Sequence, residues 1–301
     1  MFDEYPDDEA YDYRKRKELQ FGAIKRRLRI QDTSEKVSVR TSVGFIDLYV
    51  YRSMADAGAP QLPVTVFNFH GGGFVLRDWE LDIPYCQKLA DASGATVVNV
   101  DYVTGPEYKF PIPQETSYEV LRYCSNHNDF LGLSGNTFIV CGHSAGGTLS
   151  ASLCELAYER GDVKISGLVM DYPALKPALE PKPCPDPSLA IDPKRMRQYA
   201  AWAYKSEGQL EDPLAAPLLA EGVDWPPTLI NAAGYDSMLN EEREFAEKLA
   251  GMGVDVDFKC YEGCMHGFTH ANFQREFDHD ASEDAWARIA AFVKRVAGAQ
   301  G

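Results

Sequence analysis

The sequence predicts an α/β fold built on a mainly parallel central sheet of about eight strands, with helices on both faces of the sheet. Strand-like and helix-like segments alternate along most of the chain, which is typical of parallel strands joined by right-handed crossovers. Two glycine-rich motifs, 70–73 and 142–147, each follow a short apolar run with the character of a buried strand. A proline-rich stretch, 173–227, interrupts the alternation and predicts an inserted lid or binding segment.

The predicted elements follow in a regular order after a helical N-terminal arm, 1–35. Two alternating segments joined through Gly44 predict an antiparallel pair at a sheet edge. The predicted strands are Lys36–Ser42, Phe45–Arg52, Val64–Phe69, Ala95–Val100, Asn136–Cys141, Ile165–Met170, Thr228–Ala232 and Val254–Tyr261. The predicted helices are Leu81–Ala92, Gln114–Asn126, Thr148–Arg160, Pro193–Lys205, Glu241–Leu249 and Ala281–Val296. Because the signals on both sides of 173–227 belong to one pattern, 36–172 and 228–301 are interpreted as two parts of one domain.

Bulk composition excludes several classes of protein. The chain has 301 residues, of which 45% are hydrophobic and 25% charged, as expected of a globular protein rather than a disordered or fibrous one. Its formal net charge of −15 would repel a phosphate backbone, so we expect no nucleic-acid partner. No apolar run is long enough for a membrane span, and the acidic start lacks a secretory signal.

Cysteine usage indicates a reducing compartment. The seven cysteines show neither the spacing of a disulfide framework nor that of a zinc site. We therefore predict a cytoplasmic protein with structural thiols. Cys264, two residues before His266, is interpreted as a packing cysteine rather than a redox-sensitive one.

The N-terminal arm is locally basic, with Arg14-Lys15-Arg16-Lys17 followed by Lys25-Arg26-Arg27. The apolar residues of the arm that recur near helical spacing are Leu19, Ala23, Ile24 and Leu28. This spacing predicts an amphipathic helix docked on the protein, with the basic residues on its solvated face. A targeting or membrane-surface patch is the alternative.

Ser144 is the predicted nucleophile. It lies in Gly142-His143-Ser144-Ala145-Gly146-Gly147, between an apolar strand and an amphipathic helix. A sharp strand-to-helix turn would project its hydroxyl above the sheet, and the glycines on either side would let strand and helix approach closely. Because Gly-x-Ser-x-Gly arises by chance in about one chain of this length in ten, the flanking elements are what favour a nucleophile over a structural turn serine.

His70-Gly71-Gly72-Gly73 predicts an oxyanion site at the end of the preceding strand. Three glycines have no side chains to shield their N–H groups, which can then point inward towards a developing negative charge. The N–H of Ala145, at the start of the next helix, supplies another donor. The alternative interpretation is a flexible loop.

Asp236 and His266 are the predicted acid and base. Each follows a predicted strand, Thr228–Ala232 and Val254–Tyr261, so both lie at the edge of the sheet that carries Ser144. Asp224 precedes its strand, and Asp255 and Asp257 lie inside the last one; for Asp236 the alternative is a helix cap. The remaining candidate bases, which are interpreted as surface residues, are His127, His270 and His279.

Five ordered motifs together resemble the hormone-sensitive-lipase-like carboxylesterases, a branch of the α/β-hydrolases. The motifs are His70-Gly71-Gly72-Gly73, Asp101-Tyr102 with Pro106-Glu107 and Phe110-Pro111, Gly142–Gly147, Gly234–Leu239, and His266-Gly267-Phe268. The resemblance implies an α/β-hydrolase fold with a helical cap, built from the arm 1–35 and the insertion 173–227. It implies a catalytic triad of Ser144, Asp236 and His266. It also implies that the oxyanion donors are Gly72, Gly73 and Ala145.

Three features depart from that family. His143 stands where the family usually has an acidic residue before the nucleophile. Thr104-Gly105 replaces the family's Leu-Ala ahead of Pro-Glu. The segment 173–227 aligns with nothing recognisable. The first two departures bear on pH dependence or loop shape near the site, and the third leaves the acid and alcohol of the substrate unnamed.

Four aromatic residues flank the motifs and either line an apolar cleft or belong to the core; they are Phe74, Trp79, Tyr102 and Phe268.

The sequence thus predicts a serine carboxylesterase that hydrolyses short- to medium-chain or small-molecule esters through an acyl-enzyme, with no metal and no organic cofactor. An arylformamidase or lactonase is the first alternative, against which Gly73 and Pro106-Glu107 favour the esterase. A ligand-binding receptor of the same fold is the second, and the presence of His266 argues against it. A homodimer stays open.

Overall fold

Eight strands form one sheet in the order β1-β2-β4-β3-β5-β6-β7-β8. The structure, a computed structural model, describes residues 2–55, 61–133, 135, 137–180, 182–270 and 277–299. The strands are β1 Glu35–Thr41, β2 Gly44–Tyr51, β3 Val64–Phe69, β4 Thr96–Val100, β5 Thr137–His143, β6 Ile165–Asp171, β7 Thr228–Ala233 and β8 Val256–Tyr261. The helices are α1 Asp7–Leu28, α2 Ile83–Ser93, α3 Ile112–Leu131, α4 Ala145–Arg160, α5 Pro193–Ala203, α6 Leu239–Gly251 and α7 His279–Gly298.

Strand direction determines where the functional side chains can meet. β1 and β2 pair antiparallel at one edge, and β2 is antiparallel to β4. The other neighbouring strands, from β4 through β3, β5, β6 and β7 to β8, run parallel. The carboxyl ends of β3, β5, β7 and β8 therefore lie along one edge, where ligands bind in open α/β sheets.

Alternate residues of the central strands enter two different hydrophobic cores. On β3, Phe67 packs in the core shared with α3, α4 and α6, whereas Val66 packs in the core shared with α2 and α7. A strand that is buried on both faces needs apolar residues at every position, and all six residues of β3 are buried. The predicted α/β fold with helices on both faces is confirmed.

Every predicted strand and helix occurs, with shifts at the ends. α4 begins at Ala145, three residues earlier than predicted, because the chain enters the helix directly after Ser144. α2 begins later than predicted, at Ile83, since Trp79–Leu81 forms a separate 3-10 turn.

The N-terminal helix is docked as predicted, but of the four apolar residues predicted for its packed face only Ile24 packs against the core, as a partly buried side chain. Leu19 is 71% exposed and Leu28 is 42% exposed. The residues of α1 that are buried are Ala10, Tyr13, Arg14 and Phe21. Positions 10, 13, 14 and 21 lie on one face of a helix, just as the predicted apolar positions do. The buried face includes an arginine, which composition alone assigned to solvent.

Helices α1 and α5 contact each other. The hydroxyls of Tyr13 on α1 and Tyr199 on α5 lie 3.0 Å apart, and the indole N–H of Trp202 donates to the main-chain oxygen of Pro6 at 3.2 Å. The N-terminal arm therefore packs on the insertion that follows β6. None of the helices in the described ranges has the length and apolar character needed to span a bilayer.

Candidate active site

Ser144 occupies a strained turn between β5 and α4. Its backbone has φ 55° and ψ −119°, a region that costs a non-glycine residue free energy and that is found at nucleophile turns. Its N–H donates to the main-chain oxygen of Asp171 at 2.9 Å, which ties the turn to the end of β6. The strain is thus held by hydrogen bonding to the neighbouring strand.

Gly146 allows the close approach that this turn requires. A Cβ atom at Gly146 would lie 1.9 Å from the main-chain oxygen of Phe69 at the end of β3. Since a backbone atom cannot move aside as a side chain can, any larger residue would push α4 away from the sheet. The small residue two positions after the serine is therefore a packing requirement of the motif.

His266 connects Ser144 to Asp236. The His266 Nε2 atom lies 2.8 Å from Ser144 Oγ, and its Nδ1 atom lies 2.5 Å from Asp236 Oδ2. Asp236 is fully buried, whereas the His266 side chain is 16% exposed. A buried carboxylate that accepts from Nδ1 fixes the imidazole with its Nε2 towards the hydroxyl, as a general base requires.

The loops that carry Asp236 and His266 are hydrogen-bonded to each other. The Tyr235 N–H donates to the Cys264 main-chain oxygen at 2.9 Å, and Asp236 Oδ1 accepts from the Met238 N–H at 3.2 Å. Asp236 thus faces His266 with one oxygen and caps the following turn with the other, so the two roles weighed for it coexist.

The glycine loop after β3 lies beside Ser144 with free donors. A Cβ on Gly71 would lie 3.5 Å from Ser144 Cβ. In the described part of the chain, no acceptor is bonded to the main-chain N–H groups of Gly72, Gly73 or Ala145. All three residues line the same cavity as Ser144, so their unbonded N–H groups indicate a place for an oxygen of a ligand.

Gly73 also brings this loop against α5. It has φ 63°, and a Cβ there would lie 2.6 Å from the Tyr199 ring. A side chain at this position would therefore be strained by its backbone and would collide with the ring. The third glycine of the motif is what lets the insertion close over the loop.

Arg14, interpreted from sequence as a solvated residue, is buried and binds the segments that flank the glycine loop. Its Nε donates to the main-chain oxygen of Val75 at 3.0 Å, and a second nitrogen donates to the main-chain oxygen of Gly105. Two nitrogens pair with the Glu107 carboxylate at 2.7 and 2.9 Å. Planar, bidentate pairing of this kind suits arginine and not lysine, so Arg14 joins α1 to both segments around the glycine loop.

His143 forms a buried pair with Asp171 below Ser144. Its Nδ1 atom lies 3.0 Å from Asp171 Oδ2, and its Nε2 atom lies 3.1 Å from Asn68 Oδ1. The Asn68 amide nitrogen donates to Asp82 and to Asn99. The amide oxygen of Asn68 therefore faces His143 and can only accept.

Both ring nitrogens of His143 consequently carry protons. Burial alone would lower the pKa of His143, but the hydrogen bond and charge of Asp171 raise it above the usual value. We assign His143 and Asp171 as an imidazolium–carboxylate pair. Because its two charges cancel, the pair can be buried where a lone charge could not be.

His270 is buried in the same network, and its interpretation as a surface histidine is wrong. Its Nε2 atom lies 3.1 Å from Asp82 Oδ1, and its Nδ1 atom lies 3.0 Å from the Tyr172 hydroxyl. Burial and the neighbouring His143 charge lower the pKa of His270. Burial of Asp82 would raise its own pKa, but the hydrogen bond from His270 and the charges of the nearby histidines together outweigh that effect and bring the pKa of Asp82 to about 2. All four ring nitrogens of His143 and His270 therefore have hydrogen-bond partners in this buried cluster with Asp82.

The two other uncommitted histidines are on the surface as predicted: His127 is exposed, and the side chain of His279 is 71% exposed. Cys264 is 3% exposed, and burial raises its pKa to about 11. A thiol with so little thiolate character is a poor redox sensor, which agrees with the packing role predicted for it.

A cavity of about 280 Å³ opens onto Ser144 and His266. Of the four aromatic residues near the motifs, only Phe74 lines it. Tyr102 is buried beneath the glycine loop, where its hydroxyl donates to the His70 main-chain oxygen at 2.8 Å. Trp79 stacks on Tyr49 at 3.6 Å, and Phe268 is fully buried. The remaining aromatic rings of the wall are those of Tyr13, Phe21, Tyr172, Tyr199 and Tyr204, most of which sequence motifs could not identify.

Comparison with known proteins points to one group of enzymes. Residues 66–270 match the family model described as the α/β hydrolase fold. The esterase LipI of Mycobacterium tuberculosis is 33% identical over 218 residues, which cover 69% of this chain and 66% of that esterase. The structure of the Pyrobaculum calidifontis esterase has a TM-score of 0.84 and 27% identity, covering 96% of this chain and 94% of that one. That of EstE1, a thermophilic carboxylesterase from a metagenomic library, has a TM-score of 0.80 and 27% identity, covering 96% of each chain.

Proposed function

Because the chain belongs to the α/β hydrolase fold family, in the branch of the hormone-sensitive-lipase-like carboxylesterases, we propose that Ser144, His266 and Asp236 carry out its reaction. The protein is a carboxylic ester hydrolase, the activity shared by its named relatives. The observation that carries the assignment of residues is the continuous hydrogen-bonded chain from Ser144 Oγ through His266 to Asp236.

Each residue has a defined role in the proposed mechanism. His266 Nε2 takes the proton of Ser144 Oγ as the oxygen attacks the ester carbonyl carbon, and Asp236 stabilises the imidazolium that forms. The carbonyl oxygen becomes an oxyanion that accepts from the N–H groups of Gly72, Gly73 and Ala145. The intermediate collapses to an acyl-enzyme as His266 returns the proton to the leaving alcohol, and water then repeats the sequence to release the acid.

We further propose that α1 and the insertion 173–227 form the cap over this site. Tyr13 on α1 and Tyr199 and Arg195 on α5 line the same cavity as Ser144, which supports the proposal. The small volume of the cavity, about 280 Å³, is consistent with esters of short- to medium-chain acids. A cytoplasmic location also remains a prediction; the seven free cysteines support it, and fractionation of cells would test it.

Hydrolysis of a panel of p-nitrophenyl esters tests the assignment of the nucleophile. We expect the natural chain to turn over these esters. Ser144→Ala and His266→Ala should each lower kcat by about 10⁴-fold or more, and the double variant should lose no more than either single variant, because triad residues act as a unit. A fluorophosphonate probe should label the natural chain and not Ser144→Ala. Full activity of Ser144→Ala would refute the proposal, and faster cleavage of an N-formyl aryl amide than of the esters would favour the arylformamidase alternative.

A further inference from the structure

Two cations line the cavity of Ser144 without an ion pair to any carboxylate in the described part of the chain. Lys17 on α1 and Arg195 on α5 both contribute to the cavity wall. In the ranges that the structure describes, no carboxylate lies within 4.0 Å of either side chain. Other basic residues of the same arm are paired: Arg14 with Glu107, and Lys25 with Glu80.

Both cations are held against aromatic rings rather than in open solvent. The guanidinium carbon of Arg195 lies 3.8 Å from the Tyr13 ring centroid. The ammonium of Lys17 lies 5.7 Å from the same ring and 5.9 Å from that of Phe21. Stacking over a ring occupies one face of a guanidinium and leaves its edge N–H groups free to donate. Only one hydrogen bond of the Lys17 ammonium is found in the described part of the chain, to Gln20 Oε1 at 3.3 Å.

The two positive charges make this arrangement electrostatically unfavourable. Burial and the positive charge of Arg195 lower the pKa of Lys17. A half-buried pair of like charges is normally compensated by a counter-charge, since unpaired charge in an apolar environment is costly. A ligand anion placed between the two would remove the repulsion and add charge-assisted hydrogen bonds.

The two carboxyl groups of the cavity do not neutralise these cations directly. Asp82 already accepts from His270 and Asn68. Asp78 is 7% exposed, and burial together with the nearby Asp82 raises its pKa well above the usual value despite the opposing effect of Lys17. Burial thus disfavours the charged form of Asp78, which weakens it as a counter-ion for Lys17.

The cations lie away from the reacting centre. The Tyr199 ring packs on Gly73, the Tyr13 and Tyr199 ring centroids are 6.0 Å apart, and Arg195 stacks over Tyr13. The guanidinium carbon also lies 5.9 Å from the Tyr199 ring centroid, so the ring that packs on Gly73 lies between the guanidinium and the glycine loop. A group bound there belongs to a part of the substrate remote from the scissile bond.

We propose that Lys17 and Arg195 form a carboxylate-binding subsite, and that the preferred substrates are esters carrying a free carboxylate at the end remote from the scissile bond. A carboxylate suits the planar, forked donors of arginine. The inference rests on the proposed function, because it assumes that the scissile bond lies at Ser144.

Matched pairs of substrates test this subsite. The mono-p-nitrophenyl esters of adipic and suberic acid carry a terminal carboxylate, and p-nitrophenyl hexanoate and octanoate have the same chain lengths without it. We expect the acidic ester of each pair to have the higher kcat/KM. Lys17→Met and Arg195→Gln should each reduce the ratio of acidic to neutral kcat/KM by about ten- to a hundredfold, the effect of losing one hydrogen bond to a charged group.

Two neighbouring exposed lysines provide matched controls. Lys15 on α1 and Lys194 on α5 are exposed, and Lys15→Met and Lys194→Met should leave the ratio unchanged. Should a variant of Lys17 or Arg195 fail to fold, inhibition of the natural chain gives an independent measurement: adipate should inhibit hydrolysis of p-nitrophenyl hexanoate more strongly than hexanoate does.

The outcomes separate the subsite from the catalytic assignment. A ratio that stays constant in Lys17→Met and Arg195→Gln, or a natural chain that prefers the neutral ester of each pair, would overturn the subsite while leaving Ser144 as nucleophile. Absence of turnover on all four esters, or unchanged turnover by Ser144→Ala, would instead overturn the proposed function. A ratio that falls equally in the Lys15→Met and Lys194→Met controls would also count against the subsite, because net charge alone would then explain it.

Discussion

His143 and Asp171 form an ion pair directly beneath Ser144, with 3.0 Å between His143 Nδ1 and Asp171 Oδ2. The main-chain oxygen of Asp171 accepts the N–H of Ser144 at 2.9 Å. Asp171 therefore binds both the side chain of His143 and the backbone of Ser144. Where the family usually has an acidic residue, this protein has His143, and the acceptors around it, Asp171 and Asn68, favour a positively charged ring.

We therefore predict that His143→Asp, although it restores the family's usual residue type, destabilises this protein. The new carboxylate would face Asp171 and Asp82 in a buried site, where breaking an ion pair costs about 3–5 kcal/mol. Chemical denaturation should show that loss, together with a lower kcat on p-nitrophenyl esters. His143→Gln keeps an N–H donor without a negative charge and should lose less stability. Equal stability of His143→Asp and the natural chain would contradict the assigned charges.

Arg14 should control the glycine loop although it does not touch Ser144. Arg14→Met removes the hydrogen bonds to Val75 and Gly105 and the pairing with Glu107. The Glu107 side chain is 38% exposed, so the loss of stability should be moderate, about 2 kcal/mol. Because a small displacement of catalytic groups is costly, we expect kcat to fall about tenfold or more with a smaller change in KM.

The exposed Arg16 of the same helix supplies the comparison for that experiment. Arg16→Met should match the natural chain in kcat and in the midpoint of denaturation. If Arg14→Met behaved like Arg16→Met, the glycine loop would be held by its own backbone and by Tyr102 rather than by α1.

The contrast between Ser144 and Arg14 shows what the sequence could reveal. The convergence of Ser144, Asp236 and His266 could be predicted because each follows a strand of the sheet, and parallel strands bring their carboxyl ends together whatever the loop lengths. Arg14 and His270 had no such local signal. Their burial depends on which face of α1 packs on the insertion and on which polar groups meet behind β5, and both are decided by contacts distant in sequence.

The cavity wall was least predictable for the same reason. Tyr13 and Tyr199 lie 186 positions apart, and no periodicity links them. Leu19 and Leu28 had helical spacing but face solvent, because the cations and rings of α1, rather than its leucines, meet α5. A helical period fixes which residues share a face but does not fix which face is buried.

His270 should position the loop that carries His266. His270→Phe keeps a ring among Tyr85 and Trp286, with which His270 makes ring contacts, but removes the donor to Asp82 and the bond to Tyr172. We expect a loss of about 1–3 kcal/mol in stability and a fall in kcat, since the Tyr172 ring also packs edge-on against His266 at 4.9 Å. Slower labelling by a fluorophosphonate would confirm that the nucleophile is less activated, whereas unchanged kcat and labelling would limit His270 to a structural role.

We predict that Glu155 causes a loss of stability as pH rises. It lies on α4 and is 6% exposed, and burial, followed by the charges of Glu159 and Asp212, raises its pKa from 4.5 to about 7. Between those two values the unfolded chain releases the proton while the folded protein retains it, so folding loses stability as pH rises through this window and the loss is constant above it. Glu155→Gln cannot ionise. As pH rises from 4.5 to 8, the free energy of unfolding of Glu155→Gln should therefore gain about 1 kcal/mol relative to that of the natural chain. Urea denaturation across that range measures the difference. The control Glu221→Gln, at an exposed site, should show the same pH dependence as the natural chain. A constant difference between Glu155→Gln and the natural chain at all pH values would show that Glu155 keeps its charge in the folded protein.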